Sequence, residues 1–387
     1  MKLALCLEYP IDQPGGTEVL VRELIHGLRP RHQILLVSAD SPAAFARSRV
    51  AAAVAGHIPW LPNAYTPAAA LQLASQLAAA KPDLVHFHLG ENHAWKSLRP
   101  WKSPLVAAAR AGLTVLSTNH GAFSLLSGCC RDEYPLPVKL ALLPSAWLGK
   151  QITLAHLATE VAVSQNDFHA LRRWYPPLRG KFRWLYHSRI RETSPPPENP
   201  DRQNIILCAG TIGPRKNQPL LVGAFGRIAK KFPDWQLVFM GREGDPAMMR
   251  RIHELIAKHE LQKQIQLLGA RSDAELQAWY RQSAIFALPS LYEGLGLSLQ
   301  EAQFNGCACV ATCSGGVADL ITDGEDGLLV PAGQPAPLAA ALEKLMGDAA
   351  LRECFSRRAP QSVLEKGMIA PKMVAAYEKL YVEILNR

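Results

Sequence analysis

Pro289-Ser-Leu-Tyr-Glu-Gly-Leu-Gly-Leu-Ser-Leu-Gln-Glu-Ala-Gln-Phe-Asn-Gly306 sets two carboxylates, Glu293 and Glu301, on either side of two glycines, Gly294 and Gly296. The apolar run Ala284-Ile-Phe-Ala-Leu-Pro289 before it reads as a buried strand, and a helical pattern follows. The stretch is therefore strand, glycine turn, helix, with Glu293 in the turn and Glu301 inside the helix. Ser298 fits a helix N-cap, with Glu301 three residues on as in a capping box. Amides exposed at a helix start attract anions, and glycines let a ligand come close to the backbone. A carboxylate repels phosphate but grips neutral hydroxyls, as on a sugar or a ribose. The spacing alone leaves a second reading open, in which Glu301 only caps its helix and Glu293 is a solvated turn residue.

Working outward, strands and helices alternate on both sides. Upstream, Asn204-Ile-Ile-Leu-Cys-Ala-Gly210 reads as a strand, and Thr211-Ile-Gly-Pro-Arg-Lys-Asn217 as a loop with two cations, Arg215 and Lys216. Helices over 220–230, 248–259 and 273–282 then alternate with strands over 236–240 and 265–268. Downstream, the strand 308–311 runs into Ser314-Gly-Gly-Val, another glycine turn before a helix, and the final residues 371–387 have helical spacing.

The first half repeats the pattern. Lys2–Leu7, the loop holding Gly15-Gly16, a helix from residue 19 and the strand 33–38 make a βαβ unit, which implies a parallel sheet. The glycine pair is a phosphate approach point or a plain tight turn; the dinucleotide fingerprint G-x-G-x-x-G is absent. His86 and His88 alternate onto one face of a strand, a placement more often structural than ligating. The strand 114–118 ends in Asn119-His120-Gly121, and His120 at the carboxyl end of a parallel strand lies where open α/β sheets bind ligands. Residues 135–157 are apolar with scattered lysines, and Pro144 breaks them, which favours kinked core helices over an interfacial patch. The proline-rich stretch 189–203 reads as a linker.

The chain is thus α/β, with two doubly wound halves, residues 1–190 and 204–370, a linker 191–203, and a last helix 371–387 expected to cross back to the first domain. A composition of 48% hydrophobic and 19% charged residues excludes a disordered chain. No apolar run approaches the roughly 20 residues that span a bilayer, and the start lacks a signal-peptide pattern, so a cytoplasmic protein is expected. The eight cysteines are expected to be free thiols, and no zinc-like spacing occurs. Residues 1–200 hold 21 basic and 13 acidic residues, against 21 and 20 afterwards. The basic first half suits an anionic acceptor or peripheral contact with an anionic membrane. The bases are dispersed and no nucleic-acid module is present, so nucleic acid is not an expected partner. Cations beside amide-rich turns suit a diphosphate, and the carboxylates suit hydroxyls, which together suggest a nucleotide-diphosphate sugar.

At these residues the chain resembles the retaining GT-B glycosyltransferases of family 4, the glycosyl transferases group 1. That family's acidic motif, E-G-F-G-L-x-x-x-E-A, is matched by Glu293-Gly-Leu-Gly-Leu-Ser-Leu-Gln-Glu-Ala302, with Leu295 in the aromatic position. Gly306-Cys-Ala-Cys-Val-Ala-Thr312 with Gly315-Gly316, and Asp323-Gly-Glu-Asp-Gly-Leu-Leu-Val-Pro331, are similar to its downstream motifs. The resemblance implies two Rossmann-like domains facing across a cleft, and transfer of a sugar from a nucleotide-diphosphate sugar to a glycan, glycolipid or small hydroxyl-bearing acceptor. It implies retention, no metal and no cofactor besides the donor, with a UDP-sugar favoured over a GDP-sugar, in surface polysaccharide or glycolipid synthesis. Glu293 and His120 would lie at the reacting sugar, and Arg215, Lys216 and Gly16 at the diphosphate. The backbone of Gly294, Leu295, Gly296 and Leu297 would hold sugar and phosphate. Glu301 would bind the ribose, and Gly269, Ala270 and Arg271 would lie near the base. Thr211 stands where the family often has arginine, and His187 where it often has Asn. A GT-B phosphorylase or epimerase, and a non-catalytic sugar-nucleotide binder, are the alternatives.

Overall fold

A computed structural model of the protein describes residues 1–60, 66–89, 102–121, 124–125, 135–198 and 201–387; Cys129, Cys130 and, in the expected linker, Asn199 and Pro200 lie outside these. The chain divides into two units, Met1–Arg191 with Ala370–Arg387, and Glu192–Ile369. In the first, β1 (Lys2–Leu7), β2 (Gln33–Ser38), β3 (Gly56–Pro59), β4 (Leu84–Leu89), β5 (Val115–Asn119), β6 (Thr159–Ala162) and β7 (Phe182–Trp184) form a parallel sheet in the order β3-β2-β1-β4-β5-β6-β7. Its helices are α1 (Gly16–Leu28), α2 (Pro42–Ala46), α3 (Pro67–Ala80), α4 (Pro104–Arg110), α5 (Leu136–His156) and α6 (Gln165–Trp174).

In the second unit, β8 (Gln203–Ala209), β9 (Gln236–Met240), β10 (Ile265–Leu267), β11 (Ser283–Leu288), β12 (Ala308–Cys313) and β13 (Leu328–Pro331) form a parallel sheet in the order β10-β9-β8-β11-β12-β13. Its helices are α7 (Gln218–Gly226), α8 (Pro246–Lys258), α9 (Asp273–Gln282), α10 (Leu297–Phe304), α11 (Val317–Leu320), α12 (Pro335–Gly347) and α13 (Ala349–Glu365); α14 (Ala370–Leu385) returns to the first unit. Strands covered on both faces must be apolar throughout, which is why Leu3 to Leu7 and Ala284 to Leu288 read as unbroken apolar runs, all buried. In each sheet the winding reverses once, between β1 and β4 and between β8 and β11. The crevice at the carboxyl ends of such a strand pair is where open α/β sheets take ligands.

Two elements differ from their sequence reading. Residues 136–156 form one helix that runs through Pro144 rather than breaking there. Pro144 and Leu140, whose carbonyl the proline ring leaves without a donor, are both exposed, so water can satisfy that carbonyl. Helix α10 begins at Leu297, with Gly296 as its N-cap, so Ser298 is not the cap. The described cysteines are free thiols; burial pushes Cys208 up to about 12 and Cys307 up to about 11.

Helix α14 buries one face, Met373, Val374, Tyr377, Leu380, Tyr381 and Ile384, and packs on α1. The two helices approach so closely that a Cβ on Gly27 would lie 2.5 Å from Cγ2 of Val374. Valine is stiff at χ1 and cannot swing aside. Gly27→Ala is therefore expected to destabilise the first unit by about 1–3 kcal/mol despite alanine's better helix propensity. Denaturant melts of the single variant and of Gly27→Ala with Val374→Ala check this, since the second change makes room and should recover much of the loss.

Candidate functional site

Because β8 and β11 are neighbours, the loops that leave their carboxyl ends meet. The amide of Leu291 donates to the carbonyl of Arg215 at 2.8 Å, joining the two loops by backbone. On that frame the side chains converge. Lys216 Nζ lies 2.7 Å from Oε1 of Glu293, and Arg215 Nη1 lies 3.1 Å from Oε2. The hydroxyl of Ser290 donates to Oε1 at 2.6 Å. Burial alone would push the Glu293 carboxyl up, but Lys216, Arg215 and the hydrogen bonds of Lys216 and Ser290 outweigh it and hold the group below the ordinary carboxylate range. Glu293 is 4% exposed, whereas the side chain of Arg215 is 40% exposed, so the carboxylate sits beneath a cation open to ligand.

The turn carrying Glu293 is held from below. Gly315 has φ +59, and a Cβ there would overlap the carbonyl oxygen of Glu293. The amide of Gly316 donates to that same carbonyl at 2.9 Å. Gly294, Leu295 and Gly296 are buried behind the turn, while Leu297 is half-exposed. Gly296 takes the left-handed conformation, φ +97, and leaves the start of α10 without a side-chain cap. The first amides of α10 are thus left for an anion or a polar ligand.

Glu301 lies one turn into α10 and is buried. Its Oε1 accepts from Nε2 of Gln277 on α9 at 3.1 Å, and Asn305 Nδ2 donates to Oε1 of Gln277 at 2.9 Å. The capping box expected with Ser298 is not formed, because the helix starts before Ser298 and the Ser298 hydroxyl is buried with no hydrogen-bond partner among the described residues. Gly269, Ala270 and Arg271 follow β10 in the same sheet. Gly269, at φ +69, accepts the amide of Gly241 at 2.9 Å, and the exposed Arg271 lies 3.8 Å from Glu275. Thr211 is exposed.

Two expected site residues belong to the first unit. Gly16 opens α1, where the Glu18 carboxylate packs so tightly against Gly15 that a Cβ there would overlap it. The start of α1 therefore already faces an acid. His120 follows β5 in a turn fixed by Asn119, whose Oδ1 accepts the amide of Gly121 at 3.1 Å and whose Nδ2 donates to Glu160 at 3.4 Å. Glu160 also takes a hydrogen bond from Ser117 and pairs with buried Lys150 at 2.6 Å.

Around half-buried His120 stand three buried histidines. Its ring centroid is 5.6 Å from that of His88 and 5.2 Å from that of His187, and His88 lies 3.8 Å from His86. Burial pushes His120 down to about 3, and pushes His86, His88 and His187 well below the ordinary histidine range. All four are neutral at pH 7. Among the described residues no group of three or more His, Cys, Asp or Glu is arranged to hold a metal ion. Sequence reasoning missed Ser290, Gln277, Asn305 and the tyrosines of α14 beneath the histidines. Ser290, three residues before Glu293, and Asn305, four after Glu301, had a local signal; Gln277 and the tyrosines reach the site from distant elements.

Comparison with known proteins follows the same division. The family model described as Glycosyltransferase Family 4 matches residues 14–187, and that described as Glycosyl transferases group 1 matches residues 190–362. A phosphatidyl-myo-inositol mannosyltransferase of Mycobacterium leprae is 26% identical over 98% of this chain and 96% of its own. A D-inositol 3-phosphate glycosyltransferase of Jonesia denitrificans is 25% identical over 79% of this chain and 74% of its own. The crystal structure of an Anabaena protein in complex with UDP superposes with a TM-score of 0.76 at 15% identity, covering 99% of this chain and 100% of that one.

The buried histidines set a pH dependence with a definite sign. A group whose folded pKa is depressed contributes stability that is present above its unfolded pKa and is lost as pH falls. Below about pH 6.5 each of the four takes up a proton on unfolding but not in the folded state, so stability should fall by up to about 1.4 kcal/mol per pH unit for each. Urea melts between pH 7 and 5 should show this loss in the transition of the first unit. A flat profile there would contradict the neutral, buried assignment.

Proposed function

The chain belongs to the family 4, group 1 glycosyltransferases, and from that premise we propose that it moves a sugar from a nucleotide-diphosphate donor to an acceptor hydroxyl, with retention of configuration and without a metal ion. The observation that carries this reading is the convergence of Arg215, Lys216 and Glu293 at the reversal point of the second sheet, beside the uncapped start of α10. Loss of a diphosphate from a sugar builds negative charge on the leaving group. Two fixed cations and a row of helix-start amides stabilise that charge without reorganisation. Lys216 and Arg215, both paired with the single carboxylate of Glu293, keep one net positive charge for the diphosphate. Glu293 would accept hydrogen bonds from the sugar hydroxyls and act as a positioning and electrostatic group rather than a covalent nucleophile.

Glu301, buried and braced by Gln277, suits the ribose hydroxyls, and Gly269, Ala270 and Arg271 the base. Retention is read as reaction on one face of the sugar, with the leaving phosphate taking the proton of the attacking hydroxyl. His120 and Gly16 would serve from the acceptor-binding first unit. A UDP-sugar is the favoured donor, a reading supported by the UDP held by the Anabaena protein.

The acceptor is read as an anionic or lipid-borne glycan or polyol, reached from the cytoplasm, in surface polysaccharide or glycolipid synthesis. The M. leprae relative is named for a phosphatidylinositol acceptor. On α5, Leu136, Leu140, Pro144, Leu148 and Ile152 recur every fourth residue and are exposed, forming an apolar stripe. Between 136 and 186 the chain has seven Lys and Arg against two acids, Glu160 and Asp167, both buried. Such a face suits peripheral contact with an anionic bilayer. No helix among the described residues is long and apolar enough to cross a membrane.

A thermal-shift panel of UDP-, GDP- and ADP-sugars tests the donor reading, since a ligand at 100 times its Kd stabilises the fold by about 2.7 kcal/mol. Lys216→Ala should weaken the stabilising sugar nucleotide by on the order of 10–100-fold, the worth of one charge-assisted hydrogen bond. Glu293→Gln should lower kcat by about 100-fold or more. Near-full transfer by Glu293→Gln, or unchanged donor affinity in Lys216→Ala, would overturn the assignment. Sedimentation with anionic vesicles at low and high salt tests the membrane contact; no binding at low salt removes it.

A further inference from the structure

We propose that Gln277, on α9, is the positioning residue that lets Glu301 tell ribose from deoxyribose. Its amide, turned one way by Asn305, holds the Glu301 carboxylate in the plane that meets the 2′ and 3′ hydroxyls of a nucleoside diphosphate. The inference rests on the reading of Glu301 as the ribose ligand and deepens it. A glutamate needs such a holder. Its last torsion is broad and roughly two-fold, so burial alone does not fix the plane of the two oxygens. Glu301 is 4% exposed, and Nε2 of Gln277 donates to its Oε1 at 3.1 Å. A reacting or recognising group is only as selective as its orientation is fixed.

Matching donors to acceptors gives the brace a single direction. Asn305, which ends α10, is the fixed point. Its Nδ2 lies 2.9 Å from the main-chain carbonyl of Glu301, which can only accept, so the group there must be the NH2. The same Nδ2 lies 2.9 Å from the Gln277 amide, which must therefore present Oε1 to it. Nε2 of Gln277 then faces the carboxylate, and an ionised carboxylate can likewise only accept. Turning the Gln277 amide over would set its oxygen against the carboxylate and its NH2 against that of Asn305. Turning Asn305 over would set Oδ1 against the Glu301 carbonyl. Every alternative thus opposes acceptor to acceptor. In the direction held, both Nδ2 hydrogens of Asn305 and one Nε2 hydrogen of Gln277 have acceptors. The other Nε2 hydrogen belongs to a half-buried side chain that is not closed off from water.

The two helices are tied so that these side chains meet. Arg202 Nη1 donates to the carbonyls of Tyr280 and Ser283, at the end of α9, at 3.0 and 2.9 Å, and its Nη2 donates to the carbonyl of Asn305. Helix α9 starts from a capping box between Ser272 and Glu275, directly after Arg271. One helix thus runs from the residues read as lying near the base to the brace on the ribose acid. The brace itself is neutral. A lysine or arginine at position 277 would pair with Glu301 and draw its charge away from the hydroxyls. An amide orients the carboxylate without neutralising it, and hydrogen bonds to an ionised acceptor are roughly twice as strong as neutral ones.

Calorimetric titration of the full chain tests this. The probes are whichever of UDP, GDP and ADP raises the melting temperature, and its 2′-deoxy counterpart. The wild type should bind the ribonucleotide about 10–100-fold more tightly, the worth of one hydrogen bond to a charged group. Gln277→Leu, which removes the amide at similar size, should weaken the ribonucleotide about tenfold and the deoxynucleotide less than about twofold, so the preference shrinks. Asn305→Asp should act likewise, because an acid there accepts from Nε2 of Gln277 and turns Oε1 towards Glu301. A general loosening of the site would weaken both nucleotides alike and leave their ratio unchanged. Cooperative melts show that the variants fold, and Gln277→Leu decides alone if Asn305→Asp does not. The wild-type ratio in either folded variant overturns the proposal. Glu301→Gln separates the two levels. If it loses the preference while Gln277→Leu keeps it, only this inference falls. If the wild type shows no preference, or Glu301→Gln keeps it, the reading of Glu301 as the ribose ligand falls as well.

Discussion

A buried carboxylate clasped by two cations of another loop is the constraint on which the second domain's site depends. Glu293 is 4% exposed, and taking a carboxylate so far from water is tolerable only when it is paired and hydrogen-bonded. Lys216, Arg215 and Ser290 supply that compensation. The pairing reaches across the sheet's reversal point, so it also fixes two loops that have no regular structure of their own. Losing one partner of such a group typically costs about 3–5 kcal/mol, enough to let the loops part. The same geometry leaves the Arg215 side chain 40% exposed over the turn that leads into α10. One local solution to a burial problem therefore also sets an exposed cation over a buried acid at the strand ends where open α/β sheets take ligands.

The first domain solves a comparable problem without charge. Its sheet brings polar side chains of β4 and β5 under the residues that follow them, where water cannot reach. The helix that returns from the second unit sets tyrosine hydroxyls on His86 and Thr118, and its first residue is tied back by the amide of Ala370 donating to the carbonyl of Ile190 at 2.6 Å. The same helix closes on α1 through Gly27. Placement of α14 thus decides both a core contact and the tyrosine hydrogen bonds of His86 and His187.

Much of this was legible because its chemistry is local. Buried parallel strands must be apolar runs, glycine turns must precede the helices, and the buried face of α14 shows at three- and four-residue spacing in Met373, Val374, Tyr377, Leu380, Tyr381 and Ile384. The Arg215-Lys216 pair and the Glu293 to Glu301 stretch stand out for the same reason. What failed depended on one torsion or on distance along the chain. Gly296 enters the left-handed region and starts α10 early, so Ser298 falls inside the first turn and its pairing with Glu301 does not form. Gln277, which meets Glu301 instead, is 24 residues away. The bond between Tyr381 and His86 spans 295 residues and has no local signature. Pro144 marks a break in most helices, and only its position on the exposed face lets α5 pass through it.

The central claim is that a nucleotide diphosphate is held where the loops after β8 and β11 meet. A crystal structure of the protein soaked with UDP tests it most directly. The account predicts diphosphate oxygens within hydrogen-bond distance of Lys216 and Arg215 and of the first amides of α10, with the ribose hydroxyls on Glu301. A nucleotide bound elsewhere, or one whose phosphates leave the Glu293 pairing and the start of α10 untouched, would contradict it.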